Sequence, residues 1–319
     1  MPAAAAISVD RLVVNRDGRR VLDGLTFDVA PGEIVGLIGP NGAGKTTTLA
    51  VLSTLLAASG GVVRIAGHDL RTEAKAVRRS IGRVPQEVAV YPTLTGRENA
   101  QFFARVSGVR RADASRTAAA VLEQVGLTAR ADERVATYSG GMQRRLSLAC
   151  GLLGAPPVLL LDEPTVGVDP QSFESIVVAI RAHAKAGAAL LYSTHHMEEA
   201  EELCDRVVLI DGGRIVAIGT PADLIRSAAP GLLIDLATDG ALPDGWLGDL
   251  GGARACAVPA DDVIAVARGR AARVALDDVE LAPRVLERAA RAARVLDFHV
   301  HRPSLHDAFL VLTGNAPRD

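Results

Sequence analysis

The chain has 319 residues, 49% of them hydrophobic, which is enough to bury one large core or two modest ones. Its 35 basic and 37 acidic residues leave a net charge of −2, which gives no electrostatic footprint for a nucleic-acid partner. Residues 1–6 lack the basic region of a secretory signal. No run approaches the roughly 18 apolar residues that cross a bilayer, and the longest candidate, 149–161, is broken by Pro156-Pro157. The chain is therefore expected to be soluble by itself and to reach a membrane only by docking to something that spans it. Cys150, Cys204 and Cys256 are too scattered for a disulfide frame or a zinc site, and read as reduced thiols of a cytosolic protein.

In chain order, residues 7–30 read as antiparallel strands, with Leu25, Phe27 and Val29 alternating against Thr26 and Asp28. Asp17-Gly18 turns the first strand into the second. The apolar run 34–38 reads as a buried parallel strand, and Leu49, Leu52 and Leu56 set a helix over 47–56. Val63 and Ile65 mark another strand, and 81–84 a short one. From 94 to 153 the pattern is helical, an insert between the halves of an α/β core. Residues 158–161 are a second buried strand, 172–186 a helix and 188–192 a third buried strand. A glycine-turned hairpin follows over 207–218, then a short helix over 223–226. Beyond Pro230-Gly231 the pattern restarts at smaller scale. Strands are expected near 232–237, 254–258, 262–267 and 272–276, then a helix over 281–293, a strand over 295–300 and a helix over 304–312. The expected domains are 1–229 and an α+β appendage over 230–319, near a domain's lower size limit.

Between the strand at 34–38 and the helix lies Gly39-Pro40-Asn41-Gly42-Ala43-Gly44-Lys45-Thr46-Thr47, which fits G-x-x-x-x-G-K-[ST]. Strand, glycine loop and helix start aim main-chain N–H groups and a positive helix end at one point, a cradle for phosphates. Lys45 is placed to reach the β- and γ-phosphates, and the Thr46 hydroxyl to ligate Mg²⁺. A glycine-rich turn is the bland alternative, and the flanking strand and helix argue against it. Asp162 and Glu163 end the second buried strand. Asp162 is placed to hold Mg²⁺, and Glu163 to act as general base for the attacking water. In Tyr138-Ser139-Gly140-Gly141-Met142-Gln143, Ser139 can cap the following helix, and the same geometry makes a second anion site.

These motifs together resemble the ATP-binding cassette (ABC) family. Its signature stands here as Tyr-Ser-Gly-Gly-Met, with Gln86 as the Q-loop, Asp162-Glu163 as Walker B, Val168-Asp169 as the D-loop and His195 as the switch histidine. The motifs come in the family's order, and their separations suit a complete cassette. The resemblance covers about residues 7–229. It implies an α/β P-loop cassette with a mixed sheet, an antiparallel β subdomain and a helical subdomain over about 87–154. It also implies ATP and Mg²⁺ as cofactors, with Gln86 sensing the ion and the attacking water.

Two cassettes are implied to pair head to tail, Ser139, Gly140 and Gly141 of one capping the nucleotide of the other, with Asp169 at the junction. His195 contacts the γ-phosphate in its own subunit, while His196 and His183 receive no role. The stretch 91–99 is similar to that of ABC-2-type exporter ATPases, and Pro303-Ser304-Leu305-His306-Asp307-Ala308-Phe309-Leu310 to the close of the daunorubicin-resistance type. The implied partner is an integral-membrane permease of that type, holding the chain at the cytoplasmic face of the membrane. An amphipathic helix packing on its own domain is the plainer reading of the tail. Two departures stand out. No aromatic lies near Arg16 to stack on adenine, so the guanidinium is expected to take that place. Met142 replaces the signature's final Gln, outside the phosphate-contacting residues. The alternative from another class is a soluble ABC ATPase acting on ribosomes or DNA. Such proteins usually carry two cassettes or a coiled-coil insert, and this chain has neither.

Overall fold

The structure is a computed structural model describing residues 5–228, 231–248, 250–256 and 270–313. The expected strand at 262–267 and the end of that at 254–258 lie outside the described residues. The chain divides into two compact units, Met1–Ile215 and Val216–Asp319.

Alternation builds the first sheet. β1 (Ile7–Arg16) and β2 (Arg19–Val29) pair antiparallel, Ile7 against Val29 and Val9 against Phe27. Asp17 and Gly18 join them with φ of 50° and 74°, the twist that a two-residue hairpin needs. β3 (Ile34–Ile38) is buried at every residue and leads into α1 (Lys45–Leu52). The helix starts earlier than its leucines suggest, because Gly44 caps it from inside the loop. It ends at Leu52, short of the expected 56. There the Ser53 hydroxyl donates back to the Leu49 carbonyl, and Thr54 takes a positive φ of 61°. β4 (Gly60–Ile65) pairs with β1 and β5 (His68–Asp69) with β4, giving the sheet order β2-β1-β4-β5.

α2 (Ala74–Ser80) precedes β6 (Ile81–Val84). α3 (Gly96–Val106), α4 (Ala114–Gln124) and α5 (Gly140–Leu152) make the helical insert. The core resumes with β7 (Val158–Asp162), α6 (Pro170–Lys185), β8 (Ala189–Thr194), α7 (Met197–Leu203), β9 (Arg206–Asp211) and β10 (Arg214–Gly219). These strands form a six-stranded sheet of order β10-β9-β3-β8-β7-β6. β3, β6, β7, β8 and β9 run parallel. The carboxyl ends of β3, β6, β7 and β8 therefore meet along one edge, where open α/β sheets bind ligands. Leu49 and Leu52 of α1 share one core with Leu12 and Leu22 of the first sheet and Leu160 and Leu191 of the second. The phosphate loop is thus anchored from both sides.

The second unit carries α8 (Pro221–Ala228), β11 (Leu232–Thr238), β12 (Ala253–Cys256), β13 (Arg270–Leu276), α9 (Ala282–Ala292), β14 (Val295–His301) and α10 (Leu305–Thr313). Its sheet is antiparallel, in the order β12-β13-β11-β14. One face packs Ile234, Leu236, Val274 and Leu276 against Val285 and Ala289 of α9. On β13, Arg273 is buried and paired. Its Nε donates to Asp235 Oδ1 at 2.5 Å and its Nη1 to Asp307 Oδ1 at 2.6 Å, which fastens α10 to the sheet. α10 also packs on α8. No helix among the described residues is long and apolar enough to cross a membrane.

Candidate active site

Gly44 takes a φ of 109°, a conformation that side chains resist, and hands the chain to α1. Lys45 follows, only 5% exposed. Its Nζ donates to the carbonyls of Gly39 at 2.7 Å and Pro40 at 3.1 Å, and lies 3.7 Å from Glu163 Oε1. Burial lowers its pKa, while the Glu163 and Asp162 carboxylates oppose that shift. The Thr46 hydroxyl donates to Asp162 Oδ1 at 3.3 Å. Ser193, at the end of β8, donates to the same oxygen at 2.8 Å. Asp162 is 2% exposed, and burial raises its pKa against these two hydrogen bonds.

Glu163 is held hardest. Its φ is 45°, a strained value for a side-chain-bearing residue, and such strain persists where the surroundings fix it. Its N–H donates to the Ser193 carbonyl at 3.1 Å and lies 3.2 Å from Ser193 Oγ. Its carboxylate receives Gln86 Nε2 at 3.2 Å on one oxygen and faces His195 Nδ1 at 3.1 Å on the other. Four strand ends thus converge. The loop after β3 leads to Lys45 and Thr46 at the start of α1, β6 leads to Gln86, β7 to Asp162 and Glu163, and β8 to His195. The His196 ring lies tilted against His195, with centroids 4.1 Å apart and 39° between the planes. His183 instead faces the Pro156 carbonyl at 3.2 Å.

The donors fit a magnesium nucleotide. A hydroxyl, a carboxylate and an amide oxygen are hard ligands, and Mg²⁺ in such sites takes one or two carboxylates plus phosphate oxygens. Among the described residues no cluster of three His, Cys, Asp or Glu that could hold a metal ion is present.

Other expected residues stand elsewhere. Ser139 caps α5, accepting from the Met142 N–H at 3.3 Å, with Gly140 and Gly141 as the first residues of the helix. Asp169 caps α6, accepting from the Ser172 N–H at 2.9 Å and hydroxyl at 2.8 Å, and these bonds hold its pKa below the usual range. Arg16 ends β1 with an exposed side chain whose ion pair is with Asp17 at 3.7 Å.

Sequence reasoning missed Ser193, Arg144 and Glu199. Glu199 Oε2 accepts from Tyr192 at 2.7 Å, Thr165 at 2.8 Å and Thr194 at 3.0 Å, which clamps the segments beside Glu163 and His195.

The family described as "ABC transporter" matches residues 22–166. The chain is 37% identical over 302 residues to the linearmycin resistance ATP-binding protein LnrL of Bacillus subtilis, covering 94% of this chain and 96% of that one. It is 40% identical over 297 residues to the doxorubicin resistance ATP-binding protein DrrA of Mycobacterium tuberculosis, covering 92% and 88%. With the daunorubicin resistance ATP-binding protein DrrA3 of Streptomyces coeruleorubidus it shares 39% over 320 residues, covering 99% and 98%. A solved structure, described as the ATP-binding subunit of an ABC transporter, matches with a TM-score of 0.64 at 32% identity, covering 70% of this chain and 92% of that one.

Proposed function

This chain belongs to the ABC transporter ATP-binding proteins, and on that premise we propose that it hydrolyses ATP to drive export through a separate ABC-2-type permease. The observation that carries the reading is the convergence of Lys45, Asp162, Glu163, Gln86 and His195 on one sheet edge. Drug- and antibiotic-resistance relatives matched over nearly the whole chain support the direction of transport.

In this reading Lys45 leaves the Gly39 and Pro40 carbonyls and meets the β- and γ-phosphates. The loop from Gly39 to Thr47 wraps them with main-chain N–H groups. Thr46, Asp162 and Gln86 would hold Mg²⁺, which would supply neutralisation of phosphate charge. Glu163 takes the proton of the attacking water. His195, anchored on Glu163, contacts the γ-phosphate. Arg16 stacks on the base. Two copies pair head to tail, so that Ser139, Gly140 and Gly141 of one reach the nucleotide of the other beside Asp169. Residues 1–229 carry the cassette at the cytoplasmic face of the membrane, and 230–319 form an accessory α+β domain.

The test is to express the chain with a permease encoded beside it and measure ATP turnover against candidate compounds. Stimulation by an exported compound is expected. Turnover indifferent to the permease and to every compound, with no membrane protein co-purifying, would contradict the transport reading.

A further inference from the structure

We propose that Arg144 is a positioning residue that couples the Ser139 tip of one subunit to that subunit's own Glu163, so that nucleotide held in the partner's loop tunes hydrolysis here. The inference rests on the paired reading above and goes beyond it by naming the connection.

Arg144 lies in the second turn of α5, the helix whose tip is Ser139-Gly140-Gly141. It is 7% exposed. Its Nη1 donates to the Gln86 carbonyl at 2.5 Å and the Pro85 carbonyl at 3.3 Å, and its Nη2 reaches the Val166 carbonyl at 3.5 Å. Gln86 and Val166 both lead to Glu163. The Gln86 amide donates to Glu163 Oε2 at 3.2 Å, and the Val166 N–H donates to the Glu163 carbonyl at 3.4 Å. One guanidinium therefore ties a helix to the two loops that flank the general base.

The arrangement is costly. Burial lowers the pKa of Arg144, and its hydrogen-bond partners among the described residues are main-chain carbonyls. A buried cation without a directly paired carboxylate is unfavourable unless its donors are all used. The planar fork of arginine presents donors on separate nitrogens, so one side chain reaches the carbonyls of two different loops. The helix tip is constrained as well. A Cβ on Gly141 would lie 2.4 Å from Ser172 Oγ and 2.7 Å from Asp169 Oδ2, so the start of α5 sits hard against the start of α6. When a partner's nucleotide pulls on the tip, α5 cannot shift alone. It carries Arg144 and, through it, the carbonyls of Gln86 and Val166. Two identical sites wired in this way respond to each other's occupancy.

The experiment compares the full-length protein with Arg144→Met and Arg144→Lys. Turnover is measured against ATP concentration, and affinity with a fluorescent ATP analogue. Wild type is expected to show a Hill coefficient above 1. Arg144→Met should bring it to about 1 and lower kcat roughly tenfold or more, the cost of a misplaced catalytic group. Analogue affinity should stay within about threefold, the split expected when ground-state binding is spared. Arg144→Lys keeps one donor for the Gln86 carbonyl and should recover part of kcat, which a purely structural role would not distinguish. It also carries the test if Arg144→Met does not fold.

Wild-type kcat and Hill coefficient in both variants would overturn the inference while Mg-ATP still pairs Glu163→Gln subunits. If Glu163→Gln never pairs, the paired reading fails and this inference falls with it.

Discussion

Glu163, the general base of the proposed mechanism, is also the most constrained residue of the site. Its strained backbone, its two contacts from Ser193 and its place between Gln86 and His195 hold one carboxylate in one position. Glu163→Gln keeps the shape and removes the base. It should bind ATP normally and hydrolyse it at least roughly a hundredfold slower, a loss of general-base size. Steady-state phosphate release alongside nucleotide binding checks this, and near-normal turnover would move the base elsewhere. Arg16→Ala should weaken preference for adenine over other bases in a competition assay, and unchanged selectivity would remove Arg16 from the base site. At this scale the sequence revealed groups whose chemistry shows in their residue type, such as Lys45 after a glycine loop or Asp162 at a strand end. It hid Arg144 and Ser193, because the groups they meet are brought near only by the fold. Arg144 meets a loop 58 residues away, and Ser193 an aspartate 31 residues away.

Single elements differ in how visibly their ends are written. α3 is fully marked. Thr95 accepts from the Glu98 N–H at 3.1 Å, and the Glu98 carboxylate accepts from the Thr95 N–H at 2.8 Å. Thr95→Ala should cost about 1 kcal/mol, lowering the melting temperature while ATP affinity holds. α2 and α7 went unanticipated because each has only seven residues and too short an apolar stripe to show a period. The second unit adds a pH dependence. Burial raises the pKa of Asp235, but Arg273 and His301 outweigh it and hold the carboxyl below its ordinary value. That contribution to stability is present above the ordinary carboxylate value and is lost as pH falls through the lowered one. Acid titration followed by circular dichroism should therefore show the second unit losing stability below about pH 4. Asp235→Asn should flatten that slope and cost up to about 3 kcal/mol at neutral pH, the loss being limited because Asp307 still pairs Arg273. An unchanged acid profile would take Asp235 out of the account.

For the whole molecule, the order of motifs along the chain carried the architecture further than any local pattern did. Buried runs at 34–38, 158–161 and 188–192 imply a parallel sheet, and right-handed crossovers then set which strand ends can meet. The strand order β3-β8-β7-β6 was not readable, since it depends on which neighbours each strand finds in space. Ser139 caps its own helix, and in the proposed pairing that tip meets the nucleotide of the other copy. The most direct test is sedimentation of Glu163→Gln with saturating Mg-ATP. The account predicts a species of two subunits that dissociates when nucleotide is removed. Single subunits throughout, with or without the permease, would contradict it.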